Sequence, residues 1–419
     1  MKVLYDITVL GQGYTHPRYR TGIYRVIEEL ANRLATMPEC DLEFCAIQYL
    51  YPSIEYLRQS STLQHIPLRS AGNRIGAELF RLDEAIGQEQ TLKNLPSRLE
   101  RKVLALIKQK LTTPLPLISR ESLESADVLH SLFYPLPEET RGVGKLKRFL
   151  TIYDLIPLLH PQFCTNDTTD LIHNVVESIA PEDRVLAISE ATKQDLCAYK
   201  GIDPSRVFVT PLAADTTRFY PLEDAASRKE VQSKYGIPDA PYVLAVGTLE
   251  PRKNLNTVIE SFAQLAQQEK GNDLHLVITG NLGWDYDGIF KAIEKLPALE
   301  KRIHITGYVE DGDLAALYSG AMTFVYMSFY EGFGLPPLEA MQCGVPVVTS
   351  NTSSLPEVVG DAGVMLSPTD RDALSQTLLR LYHDSQLREE MRLKALHQST
   401  KFSWEQCAQQ TFQAYAAAL

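Results

Sequence analysis

Short apolar runs alternate with segments whose apolar residues recur every three to four positions, the pattern of a parallel sheet covered by helices. In the first half, strand-like runs fall at residues 2–9, 42–47, 126–130, 148–153, 184–188 and 207–210, and Ile23, Val26, Ile27, Leu30 and Leu34 share one helical face. A second series begins at 242–247 and continues at 274–280, 302–306, 322–326, 345–349 and 363–366. Between the two series, residues 213–224 carry Asp215, Pro221 and polar side chains, which suits a linker. The expectation is an α/β chain of two Rossmann-like domains, 1–215 and 216–400, whose parallel sheets face across a cleft and bind ligand beyond their carboxyl ends. Residues 401–419, alanine-rich with Trp404, Phe412 and Tyr415, read as a terminal helix able to pack back on the N-terminal domain. Residues 51–125 are irregular and read as an insertion, with a helical pattern at 99–111.

The chain has 419 residues, 44% hydrophobic and 22% charged, an ordinary globular composition with length for two cores. Its 41 basic against 52 acidic side chains give a formal net charge of -11, which argues against a nucleic-acid partner; a phosphate-bearing ligand must be met locally. The six cysteines form no CxxC pair and read as reduced thiols. The opening residues lack the basic head of a signal peptide and no window reaches eighteen apolar residues, so a cytoplasmic location is expected.

The densest chemistry lies at 328–339, Ser-Phe-Tyr-Glu-Gly-Phe-Gly-Leu-Pro-Pro-Leu-Glu, read as a glycine loop between a strand and a helix. Gly332 and Gly334 let backbone approach a ligand, and Pro336 or Pro337 suits a first helical turn, whose free amides favour an anion. Glu331 and Glu339 bracket that ligand and accept hydrogen bonds from hydroxyls, or are incidental carboxylates at a helix start. Arg252 and Lys253 follow a strand end and are either two cations for a ligand or a solvated pair.

These segments resemble the retaining GT-B glycosyltransferases of glycosyltransferase family 4, the group 1 glycosyl transferases, whose signature is two glutamates separated by seven residues, as Glu331 and Glu339 are. The likeness extends through Gly-Thr-Leu-Glu-Pro-Arg-Lys-Asn at 247–254, Thr-Gly-Tyr-Val at 306–309, Gly-Val-Pro-Val-Val at 344–348 and Ser-Ser-Leu-Pro-Glu at 353–357. In the first half it rests on 152–157, 188–190 and 211–215, and it is weakest over 51–125.

The resemblance implies a metal-independent hexosyltransferase acting on a nucleotide-sugar donor, GDP-mannose first and UDP-sugars next, with no cofactor. Arg252 and Lys253 would grip the diphosphate, Glu331 the donor sugar, Glu339 the ribose, and the amides of Gly334 and Leu335 the phosphate or sugar. Tyr308 and Val309 would lie by the base, and Gly22, Gly247, Thr248, Gly332 and Phe333 complete the implied binding set. Where the family carries His-Asp, this chain has Tyr153-Asp154; Asp154 is an acceptor base or a hydrogen-bond anchor, and Tyr153 is a poor proton acceptor. His130, after another strand, either occupies neighbouring space or is a core histidine. A degenerate nucleotide-sugar binder and a phosphorylase or synthase of the same fold are the alternatives.

Other motifs carry less. Asp285-x-Asp287 and Asp311-x-Asp313 read as carboxylates at helix starts, the latter in the first turn of a helix at 312–319, and no metal is expected. Gly11-x-Gly13 lacks the third glycine of a dinucleotide fingerprint, and Thr21 is a candidate N-cap beside Gly22. The acceptor is expected to be a carbohydrate or lipid-linked hydroxyl in surface polysaccharide or glycolipid assembly, which would bring the protein to the inner face of the plasma membrane. Arg98, Arg101, Lys102, Lys108 and Lys110, interleaved with apolar residues, either rest on anionic lipid or form the solvated face of a buried helix.

Overall fold

The computed structural model describes residues 1–16, 22–70, 118–269 and 273–419. Among them, two six-stranded sheets are parallel throughout. The first consists of β1 (Lys2–Asp6), β2 (Asp41–Cys45), β3 (Val128–Ser131), β4 (Lys147–Ile152), β5 (Arg184–Ala187) and β6 (Val207–Val209), in the order β2-β1-β3-β4-β5-β6. The second consists of β7 (Tyr242–Val246), β8 (His275–Thr279), β9 (Ile303–Gly307), β10 (Thr323–Tyr326), β11 (Val347–Ser350) and β12 (Val364–Leu366), in the order β12-β11-β10-β7-β8-β9. Helices cover both faces, so the central strands are apolar on each side: Val243, Leu244, Phe324 and Val325 are all buried. In the second sheet the order reverses between β7 and β10, which leaves a crevice at their carboxyl ends.

The strand expected at 2–9 stops at Asp6, and Thr8–Thr15 is a helix. The buried Asp6 carboxylate turns the chain by accepting from the Thr8 amide at 3.1 Å and the Ile47 amide at 3.1 Å. Gly11 lies inside this helix, where a Cβ would meet the Ser53 amide nitrogen at 2.5 Å. The Gly-x-Gly therefore packs one helix against another, Leu50–Gln59. The ends of the interval 51–125 are helical, at Leu50–Gln59 and Arg120–Ser125. Thr21, the pattern at 99–111 and the basic residues from Arg98 to Lys110 lie outside the described residues. No described helix is long and apolar enough to cross a membrane.

The terminal helix, Trp404–Ala418, returns to the N-terminal domain and packs against the helix Gly22–Ala35. Its anchor is Tyr415, fully buried, whose ring meets Phe149 at 5.0 Å and whose hydroxyl lies 2.6 Å from His130 Nδ1. His130 Nε2 lies 2.7 Å from Thr151 Oγ1, and burial pushes the imidazole pKa down to about 3. His130 is thus a core histidine, not a cleft residue: a neutral ring with both nitrogens held has no proton to offer a substrate.

Tyr415→Phe keeps the ring but strands one buried histidine nitrogen. It should lower the unfolding free energy by about 1–3 kcal/mol in chemical denaturation, whereas unchanged stability would show that the Tyr415–His130 hydrogen bond does not anchor the helix.

Candidate active site

The cleft between the sheets encloses a cavity of about 510 Å³ at the strand ends. Two connections meet there from either side of the switch point. After β7, Gly247 and Thr248 lead into a short 3-10 helix, Pro251–Lys253, which presents Arg252 and Lys253. After β10, the loop carrying Glu331, Gly332 and Phe333 runs into the helix Leu335–Gln342. Gly334, at φ 121°, opens that helix in a conformation L residues rarely adopt. Gly332 is required for a different reason: a Cβ there would stand 2.2 Å from the Tyr153 carbonyl oxygen.

The loop joins the two cations through one carboxylate. Glu331 Oε1 accepts from Lys253 Nζ at 2.6 Å and from the Tyr326 hydroxyl at 2.8 Å, while Oε2 lies 2.8 Å from Arg252 Nη1. Arg252 also donates to Glu250 at 2.6 Å and to the Tyr330 carbonyl at 2.8 Å. Burial alone would raise the Glu331 carboxyl, but Arg252 and Lys253 hold it down at about 2. Glu339 has no such partners; burial lifts it to about 7 against a 3.0 Å hydrogen bond from the Tyr318 hydroxyl.

Thirteen of the residues singled out from sequence line this cavity: Gly22, Tyr153, Asp154, Gly247, Thr248, Arg252, Lys253, Glu331, Gly332, Phe333, Gly334, Leu335 and Glu339. Tyr308 and Val309 line an adjoining recess together with Gly22, Thr248 and Glu339. Asp154 Oδ1 accepts from the Ile156 amide at 2.9 Å, and burial raises its carboxyl. Tyr153 is buried, and its hydroxyl has no hydrogen-bond partner among the described residues. Asp311 begins the 3-10 helix Asp311–Asp313, ahead of a helix at Leu314–Gly320. Its carboxylate pairs with Arg25 at 2.6 Å and Arg218 at 3.3 Å, and Asp313 pairs with Lys234 at 2.7 Å. Among the described residues no group of three or more His, Cys, Asp and Glu side chains is placed to hold a metal ion.

Sequence reasoning missed the supports of the loop. Ser353 Oγ accepts from the Glu331 amide at 2.9 Å, and the Ser354 hydroxyl lies 2.9 Å from the Glu331 carbonyl and 2.6 Å from that of Phe333. The Ser-Ser-Leu-Pro-Glu segment carried the signal, but its partner was not deducible from spacing. Arg25, Glu28, Glu29, Arg218 and Trp404 also line the cavity without having been marked as site residues.

The sequence model described as "Glycosyl transferases group 1" matches residues 227–398. O-antigen chain mannosyltransferase B of Escherichia coli is 38% identical over 266 residues, covering 63% of this chain and 69% of that protein. The serotype-specific mannosyltransferase WbdA of Escherichia coli is 31% identical over 265 residues; the match covers 62% of this chain but only 32% of WbdA. Among solved structures, Anabaena Alr3699/HepE in complex with UDP and glucose superimposes with TM-score 0.65 at 16% identity over 100% of both chains. Sucrose-phosphate synthase from Thermosynechococcus elongatus gives 0.63 at 19% identity over 95% of this chain and 93% of that one. At such identities the structures speak for the fold.

Because Glu331 titrates far below an ordinary glutamate, near 4.3, its ion pairs stabilise the fold above that pH, and the contribution is lost as pH falls toward about 2. Thermal unfolding across pH should show wild type losing stability over this interval more steeply than Glu331→Gln, which is already less stable at pH 7 because Lys253 loses its carboxylate partner and Arg252 keeps only Glu250. Parallel pH profiles would contradict the ion-pair assignment.

Proposed function

Because the chain belongs to the group 1 glycosyl transferases, we propose that it moves a hexosyl group, mannose foremost, from a nucleoside-diphosphate sugar to a hydroxyl of a growing surface polysaccharide, with retention of anomeric configuration. The observation that carries this reading is the meeting of Arg252, Lys253, Glu331 and Glu339 in one cavity where the strand order reverses. GDP-mannose ranks ahead of UDP-sugars as donor because two Escherichia coli mannosyltransferases match this chain above 30% identity.

Cleavage of the bond between the anomeric carbon and the diphosphate leaves negative charge on the departing oxygen, and a preorganised cation lowers the barrier by meeting it. Arg252 and Lys253 do this, without a divalent metal, aided by the free amides at Gly334 and Leu335. Glu331 accepts from hydroxyls of the donor sugar and Glu339 from the ribose. With both oxygens tied to cations and its carboxyl near 2, Glu331 is a weak base and an encumbered nucleophile. That favours front-face attack: the acceptor oxygen bonds to the anomeric carbon, the carbon–phosphate-oxygen bond breaks, and the acceptor proton passes to that phosphate oxygen. Asp154 either assists this proton transfer or anchors the acceptor.

The N-terminal wall of the cavity supports one reading of the acceptor's class. Glu28, Glu29 and Asp215 line it. Burial raises the Glu29 carboxyl, and the charges of Asp215 and Glu28 add to that rise against the pull of Arg33. The cations on this side are engaged, Arg25 by Asp311 and Arg218 by Asp311 and Asp215. Glu28, Glu29 and Asp215 outnumber Arg25 and Arg218 along this wall, which disfavours phosphorylated acceptors and offers acceptor oxygens to hydroxyls, so the proposed acceptor is an uncharged carbohydrate.

Two outcomes are expected. Lys253→Ala or Glu331→Ala should lower turnover by about 10² to 10³ with folding intact, and near-normal rates would refute the site. A neutral mannoside should be a better acceptor than its phosphate ester by about ten-fold or more in kcat/KM, and equal rates would reject the uncharged-acceptor reading.

A further inference from the structure

In the segment 353–357, whose sequence resembles the family's, the two serines and Leu355 lie against the donor loop. Its last residue, Glu357, reaches the other domain. The helix Glu190–Lys200 follows β5 of the N-terminal sheet, and its first-turn amides have no partners within the helix. Ser189, its N-cap, satisfies the Thr192 amide at 3.0 Å. The Glu190 and Ala191 amides instead donate to the two oxygens of Glu357, at 2.8 and 2.7 Å. A carboxylate of one domain thus caps a helix of the other, in the orientation the helix dipole favours.

The same helix start touches both reacting sides of the cleft. The Ser189 hydroxyl donates to the Gly332 carbonyl at 2.7 Å, and the Thr192 hydroxyl lies 3.2 Å from that carbonyl and 3.3 Å from the carbonyl of Tyr153. One turn on, Asp195 accepts from the Tyr330 hydroxyl at 2.6 Å. The peptide units next to Glu331 and next to Asp154 are therefore tied to one rigid element, with Gly332 wedged between.

We propose that Glu357 is a positioning residue, which by capping the opposing helix fixes the distance between the donor loop at Glu331 and the acceptor side at Asp154. It touches no reacting atom. This rests on the transfer reading above, in which the donor is held by the second domain and the acceptor arrives from the first. When the cap is lost the domains still fold and nucleotide still binds, but the acceptor hydroxyl is misplaced relative to the anomeric carbon, and a displacement of about 1 Å costs about 10²-fold in rate.

The test separates binding from transfer. In Glu357→Ala, GDP affinity by isothermal titration should stay within about two-fold of wild type, while kcat falls about 10- to 100-fold and acceptor KM rises. Glu357→Gln, which keeps one acceptor oxygen, should recover part of the loss. Hydrogen exchange at the Glu190 and Ala191 amides should accelerate in the alanine variant. Tyr330→Phe, which removes a hydrogen bond at the same contact without leaving a cavity, should shift the kinetics in the same direction and stands in if Glu357→Ala does not fold. Wild-type kinetics in these variants, or a loss of GDP affinity matching the loss of kcat, would overturn the proposal. A wild-type protein that transfers nothing would instead refute the transferase reading, and the exchange rates at Glu190 and Ala191 would still decide whether Glu357 clasps the domains.

Discussion

In a chain of formal net charge -11, the ion pairs from Lys253 and Arg252 to Glu331, at 2.6 and 2.8 Å, gather positive charge among largely buried side chains in the crevice at the strand ends. Without Glu331, Lys253 would have no carboxylate partner and Arg252 only Glu250, and burying an unpaired charge costs several kcal/mol, so the carboxylate is as necessary as the cations it holds. With two cations to one carboxylate, the triad keeps net positive charge at the strand ends, which is what the proposed transfer asks of it.

Much of the surrounding structure serves to keep these groups in register. The two connections that carry them leave neighbouring strands, β7 and β10, whose pairing at Thr323 with Val243 and Phe324 with Leu244 sets the base of both loops. The serines at 353 and 354 fasten the backbone on either side of Glu331. On the far wall, the start of the helix Glu190–Lys200 meets Gly332, and Tyr415 holds the terminal helix against the first sheet. Chain segments far apart in sequence thus determine a separation of a few ångströms across the cleft.

The architecture was legible because parallel strands buried on both faces must be apolar, and the apolar runs mark both sheets. Among the described residues the opening run misled: Thr8 to Leu10 read as the end of a strand, but the buried Asp6 bends the chain into a helix through its own hydrogen bonds to Thr8 and Ile47. At the site, the seven-residue spacing and the glycines expose Glu331 and Glu339 as partners because they lie on one local strand, loop and helix. His130 stayed open between cleft and core because a strand-end position does not state which way a side chain points, and Tyr415, 285 residues away, holds its ring. Glu357 was illegible as a helix cap for the same reason, since the amides it meets lie 166 and 167 residues earlier.

The most direct test of this account is the configuration of the product at its new glycosidic bond. NMR of the product formed from GDP-α-mannose and a neutral mannoside should show an α-linkage, as front-face transfer beside an ion-paired Glu331 requires. A β-linked product would contradict it, because inversion needs attack from the opposite face of the sugar, where the departing phosphate oxygen cannot take the acceptor proton.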